Sequence, residues 1–121
     1  MERVTGIGGM FFRARNPEML SKWYEDNLGV SPVPKNIDQL PWIQEAGPTV
    51  FAPFEQETEY FGDADKSWMI NFRVNDLSAM VDQLRNAGIA VELNTDENPI
   101  GKFARLYDPE GNPIELWQPT D

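Results

Sequence analysis

An internal repeat narrows the possible folds more than any other feature of this chain. Phe12-Arg13-Ala14-Arg15-Asn16 closes one apolar run, and Phe72-Arg73-Val74-Asn75-Asp76 closes another about sixty residues later. Each is followed by a helical pattern with a single apolar stripe: Leu20, Trp23, Tyr24 and Leu28 in the first, Leu77, Met80, Val81 and Leu84 in the second. Asn16 before Pro17 and Glu18 supplies an N-cap, a proline suited to the first turn and an early acid, and Asn75-Asp76 offers the second cap. Gly29 and Gly88 stand where each helix should end in a left-handed residue. Further on, Gly47-Pro48-Thr49-Val50-Phe51 corresponds to Gly111-Asn112-Pro113-Ile114-Glu115, both reading as a turn into a strand.

The repeat predicts two βαβββ modules, about 1–62 and 63–121, within a single domain spanning 1–121. Helices are expected near 17–28 and 76–87. Strands are expected near 3–14, 48–54, 67–74, 90–94, 101–107 and 112–118, with weaker ones near 31–45. Asp108-Pro109-Glu110-Gly111-Asn112 is a hairpin signal, because proline suits the second turn position and glycine the residue with positive φ. Residues 55–66 carry five carboxylates and one lysine and read as a linker between the halves.

Composition removes whole classes of chemistry. The 121 residues include no cysteine and no histidine, so disulfides, thiolate chemistry, the commonest general base and the commonest metal ligand are all excluded. A formal net charge of −10 would repel a phosphate backbone, which argues against nucleic acid as a partner. That charge would attract a cationic ligand, and it equally suits an acidic, soluble surface. No apolar run approaches the length of a membrane span, and the first residues lack the pattern of a secretion signal, so a cytoplasmic, membrane-free protein is expected.

The βαβββ repeat, Gly6-Ile7-Gly8-Gly9, Asn16-Pro17-Glu18…Trp23-Tyr24…Leu28-Gly29, Phe72-Arg73-Val74 and the closing Asp108-Pro109-Glu110-Gly111-Asn112…Ile114-Glu115-Leu116 together resemble the vicinal oxygen chelate superfamily. It includes glyoxalase I, extradiol dioxygenases and bleomycin-resistance proteins. The resemblance implies an α+β, glyoxalase-like fold: two tandem βαβββ modules whose mixed sheet curves into a cup, with helices outside. Because strand side chains alternate, Ile114 and Leu116 suit the helix side, which turns Glu115 and Trp117 into the cup. The same argument sends Phe11, Arg13, Phe51, Met69, Asn71, Arg73, Arg105 and Tyr107 inward, along with Phe103. These ten residues other than Phe103, with Glu115 and Trp117 among them, are the candidate ligand-binding set.

Metal-dependent relatives place one ligand on the first and one on the last strand of each half. The resemblance carries those places to Gly9, Phe51, Met69 and Glu115, of which only Glu115 has a donor for a hard cation. No metal and no cofactor are therefore expected. Glu115 is the sole catalytic candidate, as a base or as an anchor for a ligand amine; alternatively it neutralises Arg13 or Arg73. The expected function is metal-independent binding of a small molecule, planar or cationic, in an aromatic-lined cup, by a homodimer of the bleomycin-resistance type. Two other readings remain open: a glyoxalase-like lyase or isomerase using Glu115, and a partner-binding module whose cup is filled by its own side chains.

Overall fold

The computed structural model describes residues 1–120, so the last residue of the expected second module lies outside the described residues. Its regular elements are α1 (Pro17–Leu28), β1 (Ile70–Arg73), α2 (Leu77–Asn86), β2 (Glu92–Leu93), β3 (Gly101–Tyr107) and β4 (Pro113–Pro119). From β1 to β4 they follow the expected βαβββ order. The sheet runs β1-β4-β3-β2, with β1 parallel to β4 and the other two pairs antiparallel.

Local chemistry accounts for both helices. The Asn16 side chain accepts from the Met19 N–H at 3.2 Å, Pro17 occupies the first turn, and Gly29, at φ 71°, closes the end by donating to the Glu25 carbonyl. In α2 the Asp76 carboxylate accepts from the Ala79 N–H at 3.0 Å, and Gly88 turns the chain at φ 83°. Leu77, Val81 and Leu84 of α2 bury against Ala104, Leu106, Ile114 and Leu116 of the sheet, and α1 adds Leu20 and Tyr24 to the same core. Full burial of each large aliphatic side chain contributes roughly 1.5–3 kcal/mol, so this cluster dominates the stabilisation.

The turn between β3 and β4 is built on Asp108. Its Oδ1 accepts from the Glu110 and Asn112 N–H groups at 2.8 and 3.0 Å, and its Oδ2 accepts from Asn112 Nδ2 at 2.8 Å and from the Tyr24 hydroxyl at 2.6 Å. Gly111 supplies the positive φ of 80° that the turn requires. The neighbouring Glu110 carboxylate accepts from the N–H groups of Arg15 and Asn16 at 2.6 and 3.0 Å, just ahead of α1. Those two backbone donors hold its carboxyl below the usual carboxylate range.

The first half departs from expectation. Residues 1–69 contain α1 but no strand among the described residues, so the strands expected near 3–14, 31–45 and 48–54 are not formed. Their composition supplies a reason. Pro32, Pro34, Pro41, Pro48 and Pro53 bring no N–H to a ladder, and Gly6, Gly8 and Gly9 carry no side chain to hold a pleat. These segments reach the rest of the molecule through side chains: Phe12 lies 4.9 Å from Trp68, Trp42 lies 6.2 Å from Phe72, and Arg73 donates to the carbonyls of Glu45 and Pro48. The Arg73 guanidinium crosses so close to Gly47 that a Cβ there would displace it.

Candidate functional site

The register of the sheet assembles a polar row flanked by an aromatic one. Asn71, Glu115 and Arg105 are neighbours across β1, β4 and β3, and Arg73, Trp117 and Phe103 form the next row on the same face. Ile70, Ile114 and Leu106, like Phe72, Leu116 and Ala104, alternate to the opposite face and belong to the helix-side core or pack against it. The Phe103 and Trp117 rings are stacked, with centroids 6.2 Å apart and planes 2° from parallel. The Trp117 indole N–H donates to the Ile100 carbonyl at 2.9 Å, which fixes the ring.

Glu115 is 9 % exposed, and both its oxygens are engaged. Asn71 Nδ2 donates to Oε1 at 2.7 Å, and the Tyr60 hydroxyl donates to Oε2. Burial, then the Glu115 carboxylate that it faces, pushes the Tyr60 hydroxyl up to about 12. The face of the Tyr60 ring lies against Arg105, with the guanidinium carbon 4.3 Å from the ring centroid, and Phe54 stacks on Tyr60 at 5.9 Å. Arg105 Nε and Nη2 are buried and have no hydrogen-bond partner among the described residues.

Two sequence expectations need correcting. Glu115 does not neutralise Arg13 or Arg73. Arg73 is spent on backbone carbonyls, Arg13 lies beside Arg15, Lys66 and Glu110, and the ion pair present among the described residues is Lys22–Asp26 on the surface of α1. Residues 55–66 are also more than a linker. They form turns that place Tyr60 over Glu115 and Arg105 and bring Phe61 to 5.1 Å from Phe54. The alternation of aromatic with acidic residues in Phe54-Glu55…Glu59-Tyr60-Phe61 was the available signal for this.

The other sequence-selected residues divide between two places. Met69, Asn71, Arg73, Glu115 and Trp117 line an open trough of about 3060 Å³ between the sheet and the first half. Phe11 and Phe51 stand on its far wall, 95 % and 85 % exposed, and make no stack with the Phe103–Trp117 pair. The trough exceeds the roughly 300–1,000 Å³ of a small-molecule pocket because the segments bounding it stand off from the sheet. Tyr107 is exposed and leans over Gly62, and Arg105 is covered by Tyr60.

The donor set does not fit a divalent metal. At the four places where metal-dependent relatives supply ligands, only Glu115 offers oxygen, and both of its oxygens already accept hydrogen bonds. Among the described residues no three acidic side chains converge. What the arrangement offers is recognition: a flat aromatic pair next to a carboxylate, an amide and a guanidinium.

Residues 9–117 match the glyoxalase-like domain, and the chain belongs to that family. The superfamily resemblance and the α+β, glyoxalase-like fold expected from the sequence both stand. Among solved structures it is similar to TnmS3, an antibiotic binding protein from Streptomyces sp. CB03234, at 20 % identity and a TM-score of 0.62, over 99 % of this chain and 100 % of that one. It is also similar to a putative glyoxalase family protein from Bacillus anthracis, at 18 % identity and a TM-score of 0.53, over 85 % of this chain and 84 % of the other. No curated protein sequence matches the chain. Among the described residues no helix is long and apolar enough to cross a membrane.

Proposed function

We propose that this chain is a metal-independent small-molecule-binding protein that holds an aromatic ligand on the sheet face carrying Phe103, Trp117, Asn71 and Glu115. The observation that carries this reading is the parallel Phe103–Trp117 stack, its Phe103 ring half-buried at the trough and Trp117 buried behind it, set one row from a polar trio. An apolar platform with a few convergent polar groups is the usual make-up of a ligand site. The antibiotic-binding character of TnmS3, which shares the fold, supports the same class of role. Met69, Arg73 and Arg105 complete the site on the second half, and Phe11 and Phe51 belong to its far side, whereas Arg13 and Tyr107 stand away from it.

The chain acts, on this reading, in the cytoplasm as one domain of two modules, about 1–62 and 63–121, and pairs as a homodimer. The apolar side chains that the first half leaves exposed, Phe11 and Phe51 among them, support the pairing. Titration with planar aromatic compounds, followed by tryptophan fluorescence, tests the reading. Saturable quenching that is lost in Trp117→Leu is expected. Strong stabilisation by a divalent metal, without response to any organic compound, would refute it. Sedimentation velocity tests the dimer.

A further inference from the structure

Tyr60 contacts its surroundings as a bound phenol would. Its hydroxyl donates to Glu115, its ring face meets the Arg105 guanidinium, and its other neighbour is the stacked Phe54. It reaches this position from a segment of turns rather than from the sheet, and it remains 38 % exposed. It meets the needs of its two partners unequally. Glu115 is satisfied, whereas Arg105 keeps Nε and Nη2 buried without an acceptor. A buried guanidinium donor left unpaired is costly, so the site is complete toward a phenol hydroxyl and incomplete toward an oxygen acceptor.

We propose that Tyr60 is an internal occupant of the ligand site, and that the site takes in its place an aromatic ligand bearing both a phenol hydroxyl and a carbonyl oxygen. This rests on the small-molecule reading above and narrows it to a ligand class. The hydroxyl donates to Glu115 as Tyr60 does, and the carbonyl accepts from Arg105. The rest of the ring system extends along the same sheet face toward the Phe103–Trp117 pair in the adjoining row. The carbonyl is what allows an external ligand to win. A tethered side chain competes at an effective concentration on the order of millimolar, so a ligand offering only what Tyr60 already offers is held off. One that also satisfies Arg105 is not.

The probes are para-hydroxyacetophenone, phenol and acetophenone, with affinities read from the amide resonances of β3 and β4 by NMR titration. In the unmodified protein para-hydroxyacetophenone binds tightest. Tyr60→Ala tightens it about tenfold, as expected when a competing internal state is removed. Tyr60→Phe, which keeps the ring and the fold of the segment, tightens it less. Adding Arg105→Gln to Tyr60→Ala brings para-hydroxyacetophenone down to the affinity of phenol. Equal gains for acetophenone and para-hydroxyacetophenone in Tyr60→Ala, or no gain for either in both Tyr60 variants, overturn the proposal. If neither gains while larger planar compounds still quench Trp117, the internal-occupant proposal fails and the aromatic binding site stands. If nothing binds any form of the protein, both fail.

Discussion

Two carboxylates in this molecule accept a hydrogen bond from a tyrosine hydroxyl, and their surroundings differ in kind. Asp108, 4 % exposed, draws two of its other donors from the backbone of its own turn and a third from Asn112 beside them. Tyr24 then seals it from α1. Glu115 depends on side chains alone, Asn71 from β1 and Tyr60 from the segment between the halves. A carboxylate held by local backbone donors forms whenever the turn forms. One held by side chains brought from elsewhere can exchange a partner, which suits a binding site.

The largest effect is expected where the turn carboxylate is removed. Asp108→Ala strands several buried donors and should lower unfolding free energy by about 3 kcal/mol or more, measured by denaturant unfolding. Tyr24→Phe leaves the turn intact but takes away its seal, and about 2 kcal/mol is expected by the same measurement. Glu115→Gln should cost about 1 kcal/mol, since the amide still has one acceptor for Asn71 or Tyr60. A loss of about 3–5 kcal/mol would instead mean that Glu115 neutralises a buried cation, contrary to the arrangement described. Tyr60→Phe removes one of the two donors to Glu115 from a partly exposed position and should cost about 1 kcal/mol or less.

Alkaline titration sharpens the same contrast. Burial first, and then the facing carboxylate, raises both hydroxyls above the ordinary tyrosine range, Tyr60 to about 12. An unfolded tyrosine ionises near about 10, so the stabilisation from these groups is complete below that pH and is lost as pH rises toward and through the folded value. Unfolding free energy should therefore fall above about pH 10, with a shallower fall in Tyr24→Phe and, to a smaller degree, in Tyr60→Phe. The phenolate absorbance missing from Tyr60→Phe should titrate near pH 12.

The second half was largely legible because its signals are local and periodic. Alternation alone separates Ile114 and Leu116 from Glu115 and Trp117, and the stripe through Leu77, Val81 and Leu84 needs no knowledge of the rest of the chain. Tyr60 was legible only as an aromatic residue set among acids, without its position. A segment with five carboxylates has the composition of a solvated connection, and only the three-dimensional path of the chain sets the Tyr60 ring over Arg105. The partners of the arginines are hidden in the sequence for the same reason. Opposite charge in one cup suggested a pair with Glu115, but Arg73 reaches past it to the carbonyls of Glu45 and Pro48. The first-half strands were inferred from the repeat, whereas pairing also needs the backbone donors that five prolines withhold in 31–53 and the side chains that Gly6, Gly8 and Gly9 lack.

The clasp between the Asp108–Asn112 turn and the entry to α1 also sets an order of events during synthesis. Glu110 bonds the backbone of Arg15, 95 residues earlier, and Asp108 bonds Tyr24, 84 residues earlier. At roughly 5–20 residues per second, α1 leaves the ribosome several seconds before the turn that receives it exists. Until then the core that Leu20 and Tyr24 enter lacks Ile114 and Leu116, and Tyr24 lacks its acceptor. A nascent chain stalled before Asp108 should therefore bind chaperones and yield to protease at α1, and one stalled after the emergence of β4 should resist both.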